Sequence, residues 1–120
     1  AHHPTEISAT YDIAEKMPHN KIRVVFQPHT YSRTNALFDD FVKALSRFDD
    51  VIVTDIYAAR EKNTIGISSK SIADKIENAL YIPEFSKISE HLKATAEPND
   101  IVITMGAGTI TDLSKLLLDS

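Results

Sequence analysis

The chain has no cysteine, no tryptophan and only three glycines among its 120 residues. Without cysteine there are no disulfides, no cysteine–zinc sites and no thiol nucleophile, which fits a reducing, cytoplasmic setting. The glycines are Gly66, Gly106 and Gly108, and none is followed by lysine. A Walker-type phosphate loop is therefore excluded. No apolar run approaches the roughly 18 residues of a membrane-spanning helix. The first residues lack the basic and apolar succession of a signal peptide. The chain opens on Ala1 rather than Met, as expected of a piece excised from a longer protein. Lys and Arg total 13 against 17 Asp and Glu, a net charge of −4. That balance argues against nonspecific binding to nucleic-acid phosphates.

What is present describes one globular domain spanning residues 1–120. Hydrophobic residues make up 42% and charged residues 25%, the proportions of a folded chain with a core. His3-Pro4-Thr5-Glu6 reads as a helix start, with proline at a position where its missing N–H costs nothing and acid at the positive helix end. Ile7, Thr10, Tyr11, Ala14 and Met17 follow at helical spacing, and Pro18-His19-Asn20 stops the helix. Ile22–Phe26 reads as a strand buried on both faces. Ser32 or Thr34 then serves as cap for one long helix carrying Leu37, Phe38, Phe41, Val42, Leu45 and Phe48. Val51–Thr54 is a second buried strand. The polar stretch 55–68 exceeds the usual connection length, which points to a functional loop. Ser69 opens a helix with Ile72, Ile76, Ala79 and Leu80 inward, and Leu80-Tyr81-Ile82 is a candidate short strand. Phe85, Ile88, Leu92 and Thr95 mark a further helix, and Glu97-Pro98-Asn99-Asp100 a turn. Ile101–Met105 is a third strong strand, and Ile110, Leu113, Leu116 and Leu117 lie on a last helix. This alternation predicts a Rossmann-like, three-layer α/β/α domain whose sheet is mostly parallel, with the three strong strands central.

Ligands of open α/β sheets sit beyond the carboxyl ends of the strands, which directs attention to residues 27–34, 55–68 and 106–109. His29, Tyr31 and Arg33 stand in the first of these. A guanidinium grips carboxylate or phosphate through two parallel hydrogen bonds, and the helix N-terminus adds positive potential. The alternative is a solvated arginine at a helix start beside a loop histidine. Gly106-Ala107-Gly108 is either a tight strand-to-helix turn or a close backbone approach to a ligand. A dinucleotide fingerprint would need a third glycine where Thr111 stands. His2-His3 has no third ligand at diagnostic metal spacing, so a metal pair is disfavoured against a tag remnant. Asp39-Asp40 and Asp49-Asp50 read as solvated charge flanking a helix. The first strand ends in Gln27-Pro28-His29, without the acids of a phospho-receiver.

Four segments in order resemble one family over the whole chain. They are Ala1-His2-His3-Pro4-Thr5-Glu6-Ile7, Phe26-Gln27-Pro28-His29-Thr30-Tyr31-Ser32-Arg33-Thr34, Asp55-Ile56-Tyr57-Ala58-Ala59-Arg60-Glu61 and Thr104-Met105-Gly106-Ala107-Gly108-Thr109-Ile110. Together they are similar to the C-terminal domain of the Mur ligases of peptidoglycan synthesis, on the branch that adds L-alanine. The resemblance makes Ala1-His2-His3 native sequence. It implies a three-domain enzyme of which this chain is the third, closing domain. The missing N-terminal domain would hold UDP-N-acetylmuramate, and the missing central domain ATP and magnesium. ATP would phosphorylate the lactyl carboxylate, and the amine of L-alanine would attack the acyl phosphate. No nucleic acid or membrane partner is implied, and the chain alone would be inactive. By position, the resemblance implies that His2, His29 and Arg33 serve the amino-acid substrate, with Gly106 and Gly108 forming a turn close to ligand. Thr30 stands where many relatives carry a second arginine, and Arg60 where many carry glycine. The Asp-Tyr pair that commonly precedes Ala1 is absent. A free-standing Rossmann-like nucleotide-binding or regulatory module is the alternative reading.

Overall fold

A computed structural model of the chain describes residues 3–56 and 68–106. The described elements are α1 (Pro4–Glu15), β1 (Ile22–Gln27), α2 (Tyr31–Ala36), α3 (Phe38–Leu45), β2 (Asp50–Val53), α4 (Ser69–Ala73), β3 (Ala79–Tyr81), α5 (Phe85–Thr95) and β4 (Ile101–Gly106). The four strands form one sheet in the order β3-β2-β1-β4, with every pairing parallel. The Rossmann-like α/β reading therefore holds. Its centre differs from expectation: β1 and β2 are interior, whereas β4 is an edge strand among the described residues.

Strand side chains alternate between two unequal cores. Ile22, Val24, Phe26, Val51, Val53 and Met105 face α1, α3 and α4, whose Ile7, Phe41, Leu45 and Ile72 are almost wholly buried. Val25 and Ile52 face α5 through Ile88 and Leu92. All six residues of β1 are buried, as an interior parallel strand requires. Helix α1 is pinned to α3 at the surface. The Arg47 guanidinium lies 4.4 Å from the Tyr11 ring centre and reaches the Asp12 carboxylate at 2.7 Å. Tyr11 meets Phe48 edge-on at 5.1 Å.

Four local readings need correction. The expected single helix after β1 is two, because Leu37 (φ −111°, ψ 18°) leaves helical geometry between α2 and α3. The Thr34 hydroxyl bonds back to the Thr30 carbonyl at 2.6 Å, a contact that bends helices. The cap of α2 is neither Ser32 nor Thr34 but Thr30, whose Oγ1 accepts from the Arg33 N–H. Helix α4 stops at Ala73, and Ala79 and Leu80 belong to β3, paired with Val51 and Ile52. Edge pairing in the sheet overrides the helical spacing, and Leu80 is left exposed. The turn 97–100 forms as expected and is latched to the start of β1. Asp100 accepts from the Asn20 amide, from the Lys21 N–H and from the Glu97 N–H. Asp49 is not merely solvated: it accepts from the Ile22 N–H at 2.8 Å.

Candidate functional site

The chain runs β1, β2, β3 outward on one side and then crosses to place β4 on the other side of β1. The strand order therefore reverses between β1 and β4, and the carboxyl ends of those strands frame the crevice where such sheets take ligands. Gln27 closes β1 and Gly106 closes β4, directly paired in register. Gly106 has φ +138°, and a Cβ there would overlap the Gln27 carbonyl oxygen. The glycine at this position thus answers to the neighbouring strand, and the close approach is backbone to backbone. Gly108 and the rest of the turn lie outside the described residues.

The segment leaving β1 carries the chemistry. Pro28 is buried, and His29 and Thr30 are half-buried at the rim. Thr30 adopts φ 62°, ψ 147°, a region that residues with a Cβ rarely enter. It reverses the chain sharply from strand to helix and so brings Arg33 into the first turn of α2 at the carboxyl edge. The Arg33 side chain is exposed and has no ion-pair partner among the described residues. His29 and Arg33 are therefore placed on one rim, as the sequence led us to expect. His2 lies outside the described residues; its neighbour His3 caps α1, with Nδ1 accepting from the Thr5 N–H.

Behind the rim is a network that sequence reasoning missed. The Gln27 side-chain amide donates to the Asp55 carbonyl at 3.4 Å, and the Tyr81 hydroxyl donates to the Asp55 carboxylate. Ser69 donates to the Thr54 carbonyl. These contacts tie the ends of β1, β2 and β3 and the start of α4 together. The hydrogen bond to Asp55, partial burial and the carboxylate charge push the Tyr81 phenol up to about 12. Tyr81 thus stays a hydrogen-bond donor across the physiological range. The long loop segment 57–67, including Arg60, lies outside the described residues. Among the described residues no group of three or more His, Asp and Glu is placed to hold a metal ion, and no helix is long and apolar enough to cross a membrane.

A doubly wound parallel α/β domain with its polar rim at a strand-order reversal is of the Rossmann-like class. Residues 1–108 match the family described as Mur ligase, glutamate ligase domain, and the chain belongs to that family. It is 50% identical over 123 aligned residues to the UDP-N-acetylmuramate–L-alanine ligase of Caldicellulosiruptor saccharolyticus, an alignment covering 99% of this chain and 27% of that protein. The corresponding ligase of Agathobacter rectalis is 51% identical over 122 residues, covering 98% of this chain and 27% of its own length. The chain thus spans about a quarter of these relatives. Among solved structures, a Haemophilus ducreyi domain superposes with a TM-score of 0.70 at 22% identity, covering 99% of this chain and 84% of that one. The MurF ligase of Thermotoga maritima, solved with ADP, gives a TM-score of 0.69 at 14% identity, covering 97% of this chain and 26% of that one. At these identities the likeness speaks for the fold.

Proposed function

We propose that this chain is the C-terminal, substrate-closing domain of the ATP-dependent ligase that joins L-alanine to UDP-N-acetylmuramate, working in the cytoplasm where its nucleotide substrates are made. The observation that carries the reading is the rim itself. A free guanidinium stands at the strand-order reversal of a chain half identical, from end to end, to such ligases. Arg33 takes the carboxylate of L-alanine in a charge-assisted pair. His29, beside it on the β1–α2 segment, and His2 complete the substrate surface. Holding the amino acid by its carboxylate leaves the neutral amine free to attack an activated acyl carbon. The C–N bond forms as phosphate departs and the amine loses its proton.

No glycine is followed by lysine, and the described acids form no metal cluster. ATP and magnesium are held mainly by the central domain of the longer protein.

Phosphate release tests the reading. The full-length protein carrying this chain should release phosphate from ATP only when L-alanine and UDP-N-acetylmuramate are both present. The 120-residue chain alone should release none. Turnover by the chain alone, or by the full protein without the sugar nucleotide, would refute it.

A further inference from the structure

At the opposite, amino end of the sheet lies a second crevice of about 640 Å³, of the size that small-molecule sites take. Lys21, Arg23, Asp50, Glu77, His91 and Glu97 supply its charged and titratable lining. Arg23 is the unusual member. It sits in the interior strand β1 with 3% of its surface exposed. Its Nε faces Asp50 at 3.2 Å and its Nη2 donates to the Thr95 hydroxyl at 2.7 Å. Nε and Nη1 are both buried with no hydrogen-bond partner, the contact of Nε with Asp50 being an ion pair only. Guanidinium nitrogens taken out of water and left without acceptors are costly, so the arginine that lines the crevice is short of acceptors.

The rim says what kind of acceptor. Lys21 is engaged with Glu97 at 3.6 Å and Asp50 with Arg23. Glu77 has no ion pair among the described residues, and no described side chain bonds the His91 ring. With three carboxylates against two permanent cations, the lining is a poor host for a simple anion. A ligand that satisfies both the base and the rim carries a carboxylate for Arg23 and a positive group for Glu77.

We propose that this crevice is a binding site for a small zwitterion of the α-amino-acid class, with its carboxylate on Arg23 Nη1 beside His91 and its ammonium on Glu77. The site is separate from the reaction rim. Four residue steps of β1 separate Arg23 from Gln27 at the rim, roughly 13 Å at about 3.3 Å per residue. It does not depend on the ligase reading, because every residue in it belongs to this chain.

The test is an amide-resolved NMR titration of the 120-residue chain with L-alanine, and with acetate and methylamine as half-ligands. A Haemophilus ducreyi chain only slightly longer carries this same fold. L-Alanine should produce saturable shifts at Arg23, Asn78, His91 and Thr95, and either half-ligand should bind at least tenfold more weakly. Glu77→Gln, an exposed change that spares the core, should weaken L-alanine at least fivefold, and Arg23→Lys should abolish the shifts at His91. Binding at the reaction rim moves a different set, residues 29–34, so the two sites are read separately. Absence of saturable shifts at the amino end would overturn the proposal. So would acetate binding as tightly as L-alanine, or a Glu77→Gln chain that binds L-alanine unchanged.

Discussion

Gly106 shows how much one missing side chain decides. Its φ of +138° is strained for any L residue, and its Cα approaches the Gln27 carbonyl too closely for a Cβ. Gly106→Ala should lower stability by about 1–3 kcal/mol through forced displacement of β1 from β4, measured by urea unfolding. A loss under a few tenths would show that the strand pair relaxes freely. Asp100 acts through charge. Burial opposes its ionisation, but the N–H groups of Lys21 and Glu97, the Asn20 amide and the charge of Arg23 outweigh that and hold it below its ordinary 3.8. Because the folded state depresses this carboxyl, its stabilisation is complete above the unfolded value and fades as pH falls through the folded one. Asp100→Asn should therefore be less stable than the parent at neutral pH, and the gap should narrow in acid below pH 3.8. A gap independent of pH in urea titrations would remove Asp100 from the latch.

The β1–α2 segment concentrates local rule-breaking at the element scale. Thr30 is both a cap and a residue at positive φ, two demands that oppose each other. Thr30→Gly relieves the backbone and loses the cap; Thr30→Ala loses the cap and keeps the strain. The alanine variant should be the less stable of the two, by about 1 kcal/mol, in thermal or urea unfolding. The reverse order would mean that the turn is not strained. The same segment marks the limit of what periodicity reveals. Apolar spacing placed Phe41, Leu45 and Phe48 in the core without error, yet could not show the break at Leu37, whose backbone leaves helical geometry between α2 and α3. At α4 the helical spacing of Ile72 and Ile76 ran on into Ala79 and Leu80, which the sheet edge claims instead. Short apolar runs fit either period, and only the neighbouring strand decides between them.

The parallel architecture of the whole molecule was legible because strands and helices alternate and buried strands have no polar face. The strand order was not, since nothing in the sequence of β4 says on which side of β1 it pairs. The rim residues His29 and Arg33 were legible from motif and position. Their supporting network was not: Gln27, Asp55 and Tyr81 are distant in sequence and meet only where the strands end. Arg23 was hidden in plain view, a charge within an apolar strand whose role depends on α5 lying across it.

The central claim is that Arg33, on that rim, holds the amino-acid substrate of the proposed reaction, and steady-state kinetics of Arg33→Ala in the full-length protein tests it most directly. A charge-assisted pair is worth about 1.5–3 kcal/mol, so the KM for L-alanine should rise roughly 10- to 150-fold while that for ATP stays within a factor of about two, well under 1 kcal/mol. Arg33→Lys should recover part of the loss, since an ammonium cannot reproduce the two-pronged geometry. An unchanged L-alanine KM and kcat would make Arg33 a solvated residue at a helix start and contradict the account.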